Sequence, residues 1–401
     1  MKDAFKAIKI SQNVYWVGAI DWSIRDFHGY ATKRGTTYNA FLIIADKITL
    51  VDTVKKPFQD EMLARIASVI DPEKIDYIVS NHAEMDHSGC LPFMIDLIQP
   101  EKVYASTQGI KALKEHFNWD KQLDEVQDGN SISLGNMNIT FLATPMLHWP
   151  DSMISFLDKD GILFTQDACG MHLATGDIFA DQHDKWILDF EAKKYFANIL
   201  NPYSSKITTF IKRYRELNLP VKIMAPDHGP LRRNDQDIKD IVDLYEFWAS
   251  GTGYDKVIII YDTMWGSTGA MARVIADSLI QQGIDTLVLS LSATHRSDVA
   301  THLLDAKALI VGSPTLNNDL YPTIADCLTY LRGLKFQNLM GAYFGSFGWN
   351  GKAFTYLKTY FEEMNINIVS EVVKAKYVPN DNDYKNCQQL GENIAKVIKA
   401  E

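Results

Sequence analysis

Four stretches in the first 250 residues carry the apolar density of buried strands. Ile75, Tyr77, Ile78 and Val79 make the first; residues 137–143 alternate apolar and polar; 161–165 and 221–225 are short apolar runs. Each is bounded by polar or turn-forming residues, which predicts sheet strands rather than long helices. From Ile238 to Trp248 the apolar spacing turns helical, and Ala249-Ser250-Gly251-Thr252-Gly253 follows as a small-residue linker. Beyond it the rhythm becomes strand, loop, helix. Residues 257–261 predict a strand, 262–269 a polar loop, and 270–280 an amphipathic helix with Met271, Val274, Ile275 and Leu279 on one face. Further strands are predicted at 286–291, 308–311 and 339–344, alternating with helices such as 324–332. That alternation predicts a parallel sheet covered on both faces. The expected division is 1–250 and 251–401.

The early strands deliver chemistry just past their ends. His82, Glu84, Asp86 and His87 fall within six positions of the polar loop 81–89. In an extended loop alternate residues face the same way, so His82, Glu84 and Asp86 can converge while His87 turns toward a second position. One ion rarely needs so many neighbouring ligands. Two ions, with a carboxylate bridging them, do. The second strand is followed by Thr144-Pro145-Met146-Leu147-His148, the third by Asp167, and the fourth by Pro226-Asp227-His228-Gly229. Alone, each is an ordinary capped or solvated residue; beside the dense first motif they complete a ligand set.

His82, Glu84, Asp86, His87, His148, Asp167 and His228 together resemble the metallo-β-lactamase fold in its diiron branch, the flavodiiron proteins. The parent hydrolase pattern is HxHxDH, and here its second histidine is Glu84. Zinc hydrolases favour neutral imidazole, whereas added hard oxygen donors favour iron, which has redox chemistry that zinc lacks. The resemblance implies that His82, Glu84 and His148 hold one iron, that Asp86, His87 and His228 hold the other, and that Asp167 bridges. Spacing leaves open whether His87 reaches its iron. It implies an αββα sandwich for the first part.

In a doubly wound sheet the ligand lies beyond the C-terminal strand ends. The first such loop, Thr263-Met264-Trp265-Gly266-Ser267-Thr268, offers hydroxyls and backbone N–H groups at a helix N-terminus, a phosphate cradle without lysine. A P-loop needs GxxxxGK and then Ser or Thr, which this loop lacks, so nucleotide hydrolysis is not expected. The second loop is Ser313-Pro314-Thr315-Leu316-Asn317 and the third Ser346-Phe347-Gly348-Trp349-Asn350-Gly351; polar groups and an indole there can flank a flat heterocycle. An N-cap accounts for one hydroxyl-rich turn, and core packing for one indole, but three such loops resemble flavodoxin. The resemblance covers 254–401 and implies FMN. Trp265 departs from the plain TxTGxT pattern and is similar to the flavodiiron version.

Composition narrows the rest. A net charge of −10 argues against a nucleic-acid partner. Lys55, Lys56, Lys114, Arg232 and Arg233 are candidates for a local basic patch toward an acidic redox carrier. Four scattered cysteines form no CxxC pair, so no disulfide framework and no rubredoxin module is expected; Cys90 and Cys169 read as small buried neighbours of the metal motifs. No segment approaches the roughly 20 apolar residues of a membrane helix, and Met1–Gln12 lacks signal-peptide order, so a cytoplasmic chain is expected.

The two resemblances together imply a soluble oxidoreductase with two non-haem irons and FMN. It would reduce dioxygen to water, nitric oxide to nitrous oxide, or both, and the family inclines the reading slightly to dioxygen. Electrons would come from an external donor, a rubredoxin-like protein or a reduced deazaflavin coenzyme. The family's head-to-tail dimers, or dimers of dimers, are expected here too. Tyr195 and His172 are candidates for donors beside the metal pocket, with plain packing as the alternative. Two rival readings stand: a zinc hydrolase with a flavodoxin attached, and an electron carrier whose first domain is scaffold.

Overall fold

Residues 4–400 are described in a computed structural model. They divide into two units: one of residues up to His28 with 32–195 and 205–246, the other of 29–31, 196–204 and the chain from Phe247 onward.

The first unit is built on two facing sheets. Seven strands make one sheet, in the order Ile8–Lys9, Val14–Trp16, Phe41–Ile43, Thr49–Val51, Tyr77–Ser80, Lys102–Ser106, Asp124–Val126. The other has five: Ser131–Ser133, Asn138–Ala143, Met153–Leu157, Ile162–Gln166 and Ile223–Pro226. Alternation along each strand decides what fills the layers. Val79 turns inward with Phe41, Phe141, Phe164 and Ala225, while its neighbour Ile78 turns outward to a second cluster with Met62, Ile66, Leu91 and Met94 of the covering helices. This is the αββα sandwich.

Strand direction carries the site to one rim. Asn138–Ala143 and Ile162–Gln166 both run antiparallel to Met153–Leu157, so they point the same way, and Ile223–Pro226 runs parallel to Ile162–Gln166. The segments bearing His148, Asp167 and His228 therefore all leave that sheet at the same end.

One local expectation fails. Loop 81–89 is not extended throughout, because Met85–Ser88 closes a helical turn. The N–H groups of His87 and Ser88 both donate to the Glu84 carbonyl, at 3.0 and 2.8 Å, and the Ser88 hydroxyl donates to the Ala83 carbonyl at 2.7 Å. Face alternation thus stops at Glu84, and Asp86 and His87 leave the turn toward a different position from His82 and Glu84.

The second unit is a parallel sheet in the order Asp285–Ser290, Tyr254–Tyr261, Ala306–Gly312, Met340–Phe347, Asn367–Ile368, with Val373–Lys376 also parallel to Met340–Phe347. Ile258, Ile259, Ile260, Leu309 and Ile310 are fully buried, as strands covered on both faces require. Ser267–Gln281 and Asp381–Ile398 cover one side, with Met271, Ile275, Leu390 and Ile394 in a common cluster. Among the described residues no helix is long and apolar enough to cross a membrane.

Candidate metal centre and cofactor cleft

The seven predicted ligands gather into two clusters: His82, Glu84, His148 and Asp167 in one, and Asp86, His87 and His228 in the other. In the first, Glu84 Oε2 lies 3.3 Å from both His82 Nε2 and His148 Nε2, and Asp167 Oδ2 lies 3.4 Å from His82 Nε2 and 2.8 Å from His148 Nε2. In the second, His87 Nε2 is 3.3 Å from Asp86 Oδ1, and His228 Nε2 is 3.3 Å from Asp86 Oδ2. Asp167 serves both. Its other oxygen, Oδ1, lies 3.3 Å from His87 Nε2 and 3.4 Å from His228 Nε2.

Apart from the 2.8 Å contact of His148 with Asp167, these spacings fit ions better than hydrogen bonds. Charge-assisted N–H···O bonds run at about 2.7–2.9 Å, whereas donors about 2.1 Å from a shared ion stand roughly 3.0–3.4 Å apart. Both oxygens of Asp86, His87 Nε2 and Asp167 Oδ1 are buried with no hydrogen-bond partner. Buried polar atoms left in that state are costly, and a shared cation would satisfy them together. Four imidazoles and three carboxylates form a donor set suited to iron.

Around these seven residues lies a layer that orients their rings. His82 Nδ1 meets Asp151 Oδ2 at 3.0 Å, His228 Nδ1 meets the Thr37 carbonyl at 2.6 Å, and His87 Nδ1 faces Asp227 Oδ2 at 3.4 Å. Each leaves Nε2 directed into its cluster. His172 and Tyr195 do pack here, their ring centroids 4.7 and 6.0 Å from that of His228, with His172 Nδ1 2.9 Å from the Thr36 hydroxyl.

Charge within the centre is balanced against burial. Burial opposes ionisation of Asp167, but the field of His87 and the hydrogen bond with His148 outweigh it, and its pKa falls well below the usual value. Burial likewise opposes charge on His82, yet hydrogen bonds to Asp151 and Glu84 carry its pKa well above the usual value. Asp227 goes the other way: burial and the nearby Asp52 push it well up despite His87. Burial also lifts Asp52 to about 6, against two hydrogen bonds from Asn81.

Asp151, Asp52 and Thr37 escaped the sequence reading. An isolated aspartate in a turn carries no signal until the fold sets it beside a histidine. Cys90 and Cys169 are buried, and burial pushes both thiols up to about 12, as inert neighbours require. Arg232 cannot serve a basic patch: it is buried, donating to the Cys169 carbonyl at 2.9 Å. Arg233 is tied to Asp181 through two bonds.

The second unit holds a cleft of about 480 Å³ at the C-terminal strand ends, a volume suited to a cofactor. Met264, Trp265 and Ser267 line it from the first loop, Pro314 to Asn317 from the second, and Ser346 to Asn350 from the third. The remaining predicted residues support the loops. Thr263 Oγ accepts the Gly266 N–H at 3.0 Å, Thr268 Oγ lies 3.2 Å from Ser346 Oγ, and Ser313 Oγ accepts the Tyr321 N–H at 3.1 Å. Gly266 itself turns the chain at φ +89°, and Gly351 packs on Phe354. Asn318, Tyr377 and Val378 also line the cleft and were missed. Tyr377 follows Val373–Lys376, a strand the apolar pattern did not reveal. The fit to a flavin phosphate ester is good: the cleft reaches Ser267 at the start of a 15-residue helix, and buried Thr315 Oγ1 has no partner. Trp349, 86 % exposed, supplies a free indole face.

Known proteins match this architecture along the chain. The family model for ODP family beta lactamase matches residues 36–229 and that for flavodoxin matches 259–391. The chain is 42% identical to the nitric oxide reductase of Moorella thermoacetica, over 97% of this chain and 98% of that protein. It superimposes on rubredoxin oxygen:oxidoreductase from Desulfovibrio gigas with a TM-score of 0.97 and 40% identity, covering 98% and 99% of the two chains. The flavodiiron protein of Giardia intestinalis gives 0.93 and 30%, covering 98% and 97%. The chain belongs to the flavodiiron proteins, oxidoreductases that join a β-lactamase-like diiron domain to a flavodoxin-like FMN domain.

Proposed function

We propose that this chain reduces dioxygen to water and nitric oxide to nitrous oxide at a pair of irons, with FMN as the immediate reductant and rubredoxin as the external donor. The observation that carries the reading is the division of Asp167, one carboxylate oxygen toward each cluster. His82, Glu84 and His148 would hold one iron and Asp86, His87 and His228 the other. When bound, two ferrous ions and a reduced flavin supply four electrons, enough for one dioxygen or, with electrons to spare, two nitric oxide molecules.

The chain's own residues do the rest. Asp167 holds the two positions in register, Asp151 and the Thr37 carbonyl orient His82 and His228, and the aromatic wall of Tyr195, His172 and Phe27 limits water around His228. Glu84 stands where the hydrolases carry histidine, which disfavours the zinc reading. The relatives named for nitric oxide and for oxygen match at 42% and 40%, too close to rank the gases.

The proposal extends to a head-to-tail homodimer, one chain's flavin serving its partner's irons, and to a cytoplasmic setting. Trp265, Trp349 and Val378 stand largely exposed around the cleft, an apolar patch suited to a second chain. Four buried, unpaired cysteines suit a reducing compartment.

Anaerobic stopped-flow mixing of the reduced protein with each gas tests the activity. Reoxidation by one or both is expected, and the ratio of rates ranks them. Protein that carries zinc and consumes neither gas overturns the reading, and a fully active monomer overturns the dimer. Replacing rubredoxin with a reduced deazaflavin tests the donor.

A further inference from the structure

Two buried amide side chains, neither of them a ligand, hold the backbones from which the ligands project. Gln166 is fully buried, with its backbone in the left-handed region at φ +47°. Its Nε2 donates to the carbonyl of Leu147, immediately before His148, at 2.7 Å, and its Oε1 accepts the N–H of Asp167 at 2.7 Å. It ties the backbone before His148 to the backbone of Asp167.

Asn39, also fully buried, does the same on the other side. Its Nδ2 donates to the carbonyls of Pro226 and Gly229, at 2.7 and 2.9 Å, bracketing His228. Its Oδ1 accepts the indole N–H of Trp16 at 2.8 Å, and its own N–H donates to the Asp227 carbonyl at 2.8 Å. An amide suits both places. Carboxylates there would set further negative charge against carbonyl oxygens beside three ligand carboxylates, whereas an amide supplies the donors those carbonyls require.

We infer that Gln166 and Asn39 are positioning residues that divide the centre between them: Gln166 sets the His148 position against Asp167, and Asn39 sets the His228 position. The inference rests on the two-iron reading above. The donating end of each amide acts on the backbone of one cluster, the Leu147 carbonyl before His148 or the Pro226 and Gly229 carbonyls around His228, so loss of that donor should be felt chiefly at that cluster's metal position. A merely structural role would loosen both alike.

The near-isosteric substitutions Gln166→Glu and Asn39→Asp turn each donating amine into an oxygen facing the same carbonyls. Wild type and both variants would be loaded anaerobically with ferrous iron and titrated with a competing chelator. Anomalous diffraction at the iron edge would then identify the position emptied. Gln166→Glu is expected to weaken the His82/Glu84/His148 position by roughly 10–100-fold and Asn39→Asp the Asp86/His87/His228 position by a similar factor. Should the charge at Asn39 prevent folding, Asn39→Leu removes the same donor without it and carries the same expectation for the Asp86/His87/His228 position, while Gln166→Glu keeps the Oε1 that accepts the Asp167 N–H. Parallel weakening of both positions, or of neither, overturns the inference. A wild-type chain that takes fewer than two irons overturns the site reading itself.

Discussion

Asp151 Oδ2 accepts two bonds at once, from His82 Nδ1 at 3.0 Å and from the Ala83 N–H at 2.7 Å. A carboxylate only accepts, so His82 must carry a proton on Nδ1, and Nε2 is the ring nitrogen left to face Glu84, His148 and Asp167. The same oxygen also pins the backbone beside the ligand. One aspartate therefore fixes the Nδ1 proton and the orientation of a candidate ligand 69 residues away.

Asp151→Asn should lower iron affinity at the His82 position by roughly 10–100-fold while leaving flavin content unchanged. A single amide oxygen would have to serve two donors without the charge. Chelator competition against wild type measures it, and equal affinity would remove Asp151 from the centre's supporting layer.

Glu84→His restores the hydrolase pattern and exchanges an oxygen donor for imidazole. After expression with equal iron and zinc, the variant's zinc-to-iron ratio should rise at least about tenfold over wild type, with a matching fall in gas reduction. Elemental analysis decides it; an unchanged ratio would mean that Glu84 does not set metal preference.

Trp349→Ala should weaken FMN binding by about fivefold, the worth of roughly 1 kcal/mol of aromatic stacking. Fluorescence titration of flavin-free protein reads the change. Iron content should stay at the wild-type level, because Trp349 lies in the second unit.

Asp52 gives a pH signature in chelator-treated protein. Burial lifts its folded pKa to about 6 from an ordinary value of 3.8. A raised carboxyl favours the fold below the ordinary value, and that contribution is lost as pH rises through the folded one, by roughly 3 kcal/mol in all. The melting temperature of Asp52→Asn relative to wild type should therefore climb between pH 4 and 7. A difference that stays flat across that range would mean that Asp52 does not titrate there.

The short motif His82 to His87 announced a metal centre because its density in six positions has no ordinary structural use, and strand ends before His148, Asp167 and His228 pointed to their company. The parallel sheet and its three cleft loops followed from apolar periodicity, which burial on two faces imposes on the sequence itself. What the sequence withheld was mutual distance. That Asp167 turns one oxygen to each cluster, that Asp151, Gln166 and Asn39 brace ligands from afar, and that Tyr377 reaches the cleft all depend on strand pairings between distant segments. Local composition carries no record of those pairings. The turn at Met85–Ser88 was lost for a related reason: hydrogen bonds to the Glu84 carbonyl, not side-chain alternation, decide where Asp86 and His87 point. Residue type fixed which donors were present, and only the packing of two sheets brought them within an ion's reach of one another.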